Sequence, residues 1–242
     1  MKRFRLSQES LKMIACMTML LDHIGAVVVS NMYTMNPSAA LWYTYKLLRL
    51  IGRLAFPIYC FLLAEGAFYT RSRKEYGFRL LVGLILSEIP FDLLFFGELT
   101  FAHQSVMVTL LLGYLYAVAM NYLPSQGYRI LLLIPFAMLA ELLNTDYGGW
   151  GVAMIGMFVV TRGIPHQYWI QAMSLVLIGL MNGGMTVTLG SIPIPLQVFA
   201  VAAMLPIALY DGSKRTGNIW VRRGFYLFYP VHLLILYLIL NL

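Results

Sequence analysis

The sequence predicts an all-α protein, a polytopic helical bundle in a membrane, on three observations. Of the 242 residues, 60% are hydrophobic and only 11% are charged, whereas a soluble domain carries about 25% charged residues. The apolar residues gather in runs of about 20, the length that a helix needs to cross a bilayer. The basic residues fall mostly between these runs, as on the cytoplasmic side of membrane proteins. The net charge of +7 therefore reflects orientation, and we expect no nucleic-acid partner.

The apolar runs predict about nine transmembrane helices in a single integral membrane domain, residues 1–242. The runs begin near Leu11, Leu54, Phe78, Gln104, Tyr128, Gly149, His166, Pro193 and Gly224. The sixth and seventh are the least regular, because Gly163, Pro165 and Asn182 with its following glycines interrupt them.

The basic residues also predict that the N-terminus lies in the cytoplasm. With Lys2, Arg3 and Arg5 there, an odd number of spans places nearly all other Lys and Arg residues on the same side. The loops on the outer side, which contain neither Lys nor Arg, are residues 31–40, 97–103, 144–148 and 182–192.

Asp22 and His23 lie within the first apolar run, where ionisable side chains are costly and rare. Such residues predict a functional site. A histidine titrates near neutrality and is the usual side chain for moving a proton. Neighbouring residues on a helix point about 100° apart, so we expect Asp22 to pair with Arg49 or Arg53 instead of bonding His23.

Arg49 and Arg53 precede the second span on the outer side, against the orientation rule. Their i, i+4 spacing places them on one face of a helix that lies at the membrane or dips into it. Two interpretations stay open for the basic residues here. Lys46 can extend to the headgroups, while the arginine pair anchors a buried carboxylate or binds substrate.

Further polar residues lie at the same outer depth on other runs. Glu88 and Asp92 share one face of the third run, Gln104 opens the fourth, and Asp146 leads into the sixth. Together they predict a polar cavity that binds substrate. The alternatives are that the carboxylates pair structurally with arginines and that Asp146 caps a helix or shapes a turn.

Tyr229 and His232 lie near the middle of the last run. His232 either contacts a ligand or is a hydrogen-bonded core histidine, and both interpretations stay open. Near the cytoplasmic end of the second run, we expect Glu65 to pair locally with Arg71 or Arg73.

The sequence lacks the motifs of several common chemistries. It has no P-loop, no G-x-G-x-x-G, no H-E-x-x-H and no cysteine-based metal motif. Its four histidines are dispersed. We therefore predict no metal site, and ATP-driven transport and metalloprotease chemistry are disfavoured.

Several longer motifs resemble one known family. They are, in order, LKMIACMTMLLDHIG, LLRLIGRLAFPIYCFLLAEGAFYTRSRKEY, RLLVGLILSEIPFDLLF, TDYGGWG, a late YDG and FYLFYPVHLLILY. This ordered set, from about Leu11 to Leu240, resembles the TraX family, membrane proteins named for the acetylase that modifies conjugative F-pilin. The family is distantly similar to other transmembrane acyltransferases, including heparan-α-glucosaminide N-acetyltransferase.

The resemblance implies an acyltransferase, most simply an acetyltransferase, of the bacterial cytoplasmic (inner) membrane. Acetyl-CoA would enter from the cytoplasm, and a peptide or cell-envelope glycan would accept the acyl group from the other face. His23 would act as general base, Asp22 would pair with Arg49 or Arg53, and one arginine would stabilise the oxyanion. The arginines that could hold the CoA phosphates are Arg71, Arg73, Arg79, Arg215, Arg222 and Arg223.

Two other functions remain open at this point. A proton-coupled transporter would use His23, Glu88, Asp92 and Asp146 as a relay, although no convincing internal repeat is present. A non-enzymatic partner in a membrane assembly would leave so many buried ionisable groups unexplained.

Overall fold

The computed structural model describes residues 5–189, 191–213 and 219–241. Within them the α-helices are α1 (Gln8–His23), α2 (Ser30–Met35), α3 (Ala39–Gly52), α4 (Ala55–Tyr69), α5 (Arg73–Phe96), α6 (Val106–Ala119), α7 (Gln126–Leu131), α8 (Leu133–Leu142), α9 (Gly148–Val160), α10 (Gln167–Met181), α11 (Met204–Ala208) and α12 (Ile219–Leu240). A π-helical segment (Ile24–Val29) joins α1 to α2, and 3₁₀ helices cover Met120–Tyr122 and Leu196–Ala203.

The prediction of an all-α membrane protein is confirmed. Three helical stretches are long and apolar enough to cross a membrane by length and composition, namely Gln8–Met35, Ala39–Tyr69 and Arg223–Leu240. The shorter apolar helices are Val106–Tyr122, Gly148–Val160, Gln167–Met181 and Leu196–Ala208. Helices therefore lie where the sequence predicted spans, while the total of about nine crossings stays a prediction.

Serine side chains begin several of these helices by accepting a hydrogen bond from a backbone N–H of the first turn. Ser7 accepts from Ser10 N, and Ser38 accepts from Leu41 N. At the C-terminal end of α5, Gly97 adopts a left-handed conformation with φ 76°. Glycine takes this conformation without the steric cost that a Cβ imposes, so the helix stops there.

The buried core lies along α1, α4, α9 and α12, which α3, α5 and α6 surround. Close helix packing needs small residues: a Cβ added at Gly113 of α6 would lie 2.2 Å from Ile155 Cδ1 of α9. Large apolar side chains also face outwards, such as Ile85 and Ile89 of α5, which are 61% and 56% exposed. An exposed apolar surface of this kind is typical of lipid contact.

Two features were not predicted from the sequence. An antiparallel hairpin pairs β1 (Thr186–Leu189) with β2 (Ile192–Pro195), so the eighth apolar run begins as a strand. In addition, α3, which carries Arg49, continues almost directly into α4, because only Arg53 and Leu54 separate the two. Arg49 and Arg53 therefore belong to one long membrane-embedded stretch.

Candidate functional site

A cavity of about 1600 Å³ runs along α1 between the helices. Gln8 and His23, the first and last residues of α1, both line it. At a rise of 1.5 Å per residue, these two positions lie about 22 Å apart along the helix axis. The cavity therefore connects the two ends of the bundle. Most of the predicted site residues lie near one end or the other.

An ion cluster forms at the His23 end of the cavity. Arg49 Nη1 donates to Asp22 Oδ2 at 2.6 Å, and Arg53 Nη2 donates to Asp22 Oδ1 at 2.8 Å. All three residues line the cavity. The predicted pairing of Asp22 is confirmed, and it involves both arginines, because their i, i+4 spacing turns both guanidinium groups towards α1.

The two arginines differ in how many of their donors are used. Arg53 donates from Nε to Arg49 O, from Nη1 to Gln197 Oε1 and from Nη2 to Asp22. Arg49 donates from Nη1 only, and its buried Nε has no hydrogen-bond partner among the described residues. Arg49 therefore has more unused N–H groups than Arg53, every nitrogen atom of which already has a partner.

His23 forms a hydrogen bond to a second histidine on the last helix. His23 Nδ1 lies 2.7 Å from His232 Nε2, and His232 Nδ1 lies 2.6 Å from the carbonyl oxygen of Phe228. The two imidazole rings are nearly parallel, with an interplanar angle of 7°. His23 lines the cavity, while His232 is 5% exposed and lies behind it. Of the two interpretations left open for His232, the structure favours the hydrogen-bonded core histidine.

Aromatic side chains surround the His23 ring. Phe95 of α5 packs edge-on at a centroid distance of 5.7 Å, and Tyr229 of α12 lies at 6.2 Å. Both also line the cavity. The imidazole is therefore held between two helices with its position fixed by packing as well as by the hydrogen bond.

Asp146 also lines the cavity at this end, in the loop between α8 and α9. Burial raises the pKa of its carboxyl group, although His103 and Arg53 oppose the shift. The next residue, Tyr147, stacks on Phe56 of α4 at a centroid distance of 3.9 Å. The loop is thus packed against α4 and places a carboxyl group near the ion cluster.

The other predicted substrate-binding residues are not among those that line the cavity. Glu88 accepts hydrogen bonds from the backbone N–H and the hydroxyl group of Ser105, at 3.3 and 2.6 Å. Asp92 accepts from Thr100 N at 3.0 Å, and Gln104 donates to the carbonyl oxygen of Phe101. All three fix the loop between α5 and α6, and their binding of substrate stays a prediction.

Basic side chains gather at the opposite end of the cavity. Arg71, Arg79 and Arg223 line it there, together with Lys12, which the sequence analysis did not single out. Arg73 is not among the lining residues. Arg215 lies outside the described residues, and so does the side chain of Arg222.

The ion pair of Glu65 was wrongly predicted. Its Oε1 accepts from Arg162 Nε at 2.6 Å, and not from Arg71 or Arg73. Arg162 also lies over the Phe68 ring, 3.7 Å from the centroid. The loop after α9 therefore folds back onto the end of α4 and closes that side of the bundle.

Among the lining residues that the sequence analysis did not single out, two carried a clear signal. Gln197 is a polar side chain inside the apolar run PLQVFAV, and Lys12 is a basic side chain inside the first run. A polar residue inside a span is the same signal that identified Asp22. Among the described residues, no three His, Cys, Asp or Glu side chains lie together as a metal site would require.

The fold and the cavity define a helical membrane protein with buried ionisable groups at its centre. The chain belongs to the TraX family, since the family model described as TraX protein matches residues 7–240. It is also similar to a "Probable fimbrial assembly protein FimC, serogroup H1" of Dichelobacter nodosus, at 31% identity over 249 residues, which cover 95% of this chain and 94% of the relative. No solved structure matches the chain.

Proposed function

We propose that this protein is an acyl-CoA-dependent membrane acyltransferase, an acetyltransferase in its simplest form. The observation that carries the proposal is the cavity that joins basic residues at one end of α1 to His23 at the other. A substrate with a charged phosphate end and a reactive thioester at the tip of a long arm fits a site of this shape.

The basic end would bind the phosphate groups of acyl-CoA. Arg71, Arg79 and Arg223 carry guanidinium groups, which contact phosphate oxygens in pairs. Lys12 adds a further positive charge on α1. Between the two ends the lining includes apolar side chains such as Leu62 and Leu63, along which an uncharged arm can lie.

His23 would act as the general base. The acceptor's amine or hydroxyl group gives its proton to the imidazole while its nitrogen or oxygen attacks the thioester carbonyl carbon. The carbon–sulfur bond then breaks, and the proton on His23 passes to the leaving thiolate. Acyl transfer is complete, and His23 returns to its starting state without a metal or a redox partner.

Arg49 would stabilise the negative charge that develops on the carbonyl oxygen. Preorganised donors aimed at such an oxygen are worth about 2.7–4 kcal/mol of barrier lowering each. Arg53 already donates from all three of its nitrogen atoms and keeps at most one N–H, on Nη1, whereas Arg49 donates to described residues from Nη1 alone. Asp22 would hold both guanidinium groups in place and would not touch the reacting atoms.

The name of the relative favours a protein acceptor over a glycan. That relative is a probable fimbrial assembly protein, which makes the amino group of a fimbrial or pilin subunit the first acceptor to test. The arrangement also suits a multi-pass protein of the bacterial cytoplasmic membrane, with its N-terminus and basic end in the cytoplasm and His23 towards the outer side.

The first test is acetyl-CoA turnover by the purified protein in nanodiscs, followed as release of the CoA thiol. We expect slow turnover, with water as acceptor, that His23→Gln reduces by about 10²- to 10⁴-fold. Binding of acetyl-CoA, measured by calorimetry, should remain, because His23 lies at the far end from the basic residues. His166→Asn is the matched control, since His166 is exposed, is not among the lining residues, and has a positive φ that asparagine also tolerates.

The absence of acetyl-CoA binding in the wild-type protein would overturn the proposal. The same cavity and buried charges would then favour the proton-coupled transporter, which proton-flux measurements in liposomes can test. Turnover that His23→Gln leaves intact would overturn the assignment of the general base.

A further inference from the structure

We infer that His232 is a positioning residue that holds His23 in the Nδ1–H tautomer and leaves His23 Nε2 as the basic nitrogen on the cavity side. The inference starts from three groups in a row: the Phe228 carbonyl, the His232 ring and the His23 ring. It rests on the proposed function only where it describes acyl transfer.

The direction of the hydrogen bonds follows from the group at the end of the row. A carbonyl oxygen only accepts, so His232 Nδ1 carries the proton that it donates to Phe228 O. In a neutral imidazole the other nitrogen is then an acceptor. His232 Nε2 therefore accepts from His23 Nδ1–H across 2.7 Å, and His23 Nε2 carries a lone pair.

The surroundings keep both rings neutral. Asp22 is the nearest carboxylate on α1, and its oxygens are occupied by Arg49 and Arg53. The side chains that pack on the rings are Phe95 of α5 together with Phe228 and Tyr229 of α12. An additional positive charge on either ring would be buried close to the two guanidinium groups, which is costly.

The same row explains which nitrogen atom meets the substrate. His23 Nδ1 points to His232, which is buried and is not among the lining residues. Nε2 is the nitrogen on the opposite edge of a ring that lines the cavity, and no described residue forms a hydrogen bond to it. The acceptor's proton would therefore be transferred to Nε2.

His232 also acts on the protonated form of His23 during acyl transfer. Once Nε2 has taken the acceptor's proton, His23 is positively charged and its Nδ1–H bond to His232 becomes charge-assisted, which strengthens it. His232 touches neither the acceptor nor the thioester. It acts only through His23.

The tautomers can be measured without any assay of activity. In protein labelled with ¹⁵N-histidine and placed in nanodiscs, ring ¹⁵N chemical shifts distinguish protonated from unprotonated nitrogens. The chain has four histidines, so single substitutions assign the signals. We expect both His23 and His232 to carry the proton on Nδ1.

Two variants test the role of His232. His232→Phe keeps a flat ring but has no acceptor, so the His23 proton should move from Nδ1 to Nε2. His232→Gln keeps an acceptor oxygen and should retain the Nδ1–H tautomer at least in part. In acetyl-CoA turnover we expect kcat to fall by about 10- to 100-fold in His232→Phe and by less in His232→Gln, with KM unchanged.

The outcomes separate this inference from the proposed function. A wild-type His23 protonated at Nε2, or a tautomer that His232→Phe does not change, overturns the inference whether or not the protein turns over acetyl-CoA. An unchanged kcat in His232→Phe overturns it as well. Absence of turnover in the wild type overturns the proposed function, and the ¹⁵N shifts then still decide between the two tautomers.

Discussion

Helices α1 and α5 each carry two ionisable side chains in the half that lies near the arginine pair, and the two pairs have different surroundings. Asp22 and His23 of α1 line the cavity, where one joins two guanidinium groups and the other a second histidine. Glu88 and Asp92 of α5 accept hydrogen bonds from the loop that follows their own helix. The α1 pair therefore lines the cavity, whereas the α5 pair holds the loop between α5 and α6 in place.

The comparison shows that an ionisable side chain within a span indicates a buried polar partner. It does not by itself indicate a functional site. The role of such a side chain depends on the group with which it pairs. The backbone N–H and the hydroxyl group of Ser105, the residue that precedes α6, donate to Glu88. Asp22 instead neutralises the charges of Arg49 and Arg53, and its removal would leave both of them without this counter-ion.

The largest effect on stability is expected from Asp22→Ala. It leaves two partly buried guanidinium groups without their counter-ion, which should lower the free energy of unfolding by about 3–5 kcal/mol. The midpoint of thermal unfolding in detergent measures it. Asp92→Ala is the comparison variant from α5 and should cost roughly 1 kcal/mol, because Asp92 accepts a single hydrogen bond among the described residues, from Thr100. A larger loss in Asp92→Ala than in Asp22→Ala would reverse the comparison.

A smaller effect is expected from Gly52→Ala, which disturbs the α1 pair without removing a charge. The new Cβ would lie 2.1 Å from Asp22 Oδ1, so the carboxylate has to move away from its arginines. We expect a loss of about 1–3 kcal/mol in stability, with a parallel loss of acetyl-CoA turnover.

Gly224→Ala is the control for this substitution, because no described atom lies within 4 Å of its Cβ position. It should be neutral or stabilising by up to about 1 kcal/mol, as is usual within a helix. Equal behaviour of the two alanine variants would show that α3 and α1 do not pack as closely at Asp22 as the structure has them.

Little effect on acetyl-CoA turnover is expected from Glu88→Ala. It removes the acceptor of the Ser105 hydrogen bonds and should cost about 1–2 kcal/mol, while acetyl-CoA turnover stays within a few-fold of the wild type. Thermal unfolding and thiol release on the same sample measure both. If turnover falls as far as in His23→Gln while the protein stays folded, then the α5 pair belongs to the site after all.

The sequence predicted those contacts that helix geometry alone determines. The pairing of Asp22 with Arg49 and Arg53 was predictable, because an i, i+4 spacing puts both arginines on one face and their outer position needed a reason. The apolar runs likewise predicted the positions of the long helices. Both inferences use distances within one helix or depth along the membrane.

Contacts between distant helices could not be predicted in this way. His23 and His232 are 209 residues apart, and depth alone does not say that α1 and α12 are neighbours. Glu65 had basic residues close by in sequence but pairs with Arg162, 97 residues away. A side chain can have several possible partners at the same depth in the membrane. The partner that it contacts depends on how the loops fold back, and hydrophobic periodicity carries no information on that.

The π-helical segment Ile24–Val29 follows directly after His23 and makes the number of residues in this span a structural constraint. A π-helical turn accommodates one residue more than an α-helical turn. A further residue inserted there would exceed what the wide turn accommodates and would rotate one half of the span against the other by about 100°. Either Gly25, whose Cβ position lies 2.9 Å from Leu48 Cβ, would then turn away from α3, or Asp22 and His23 would turn away from the cavity. The loss of one residue returns the segment to regular α-helix without that rotation, so the protein should tolerate it better than the gain of one.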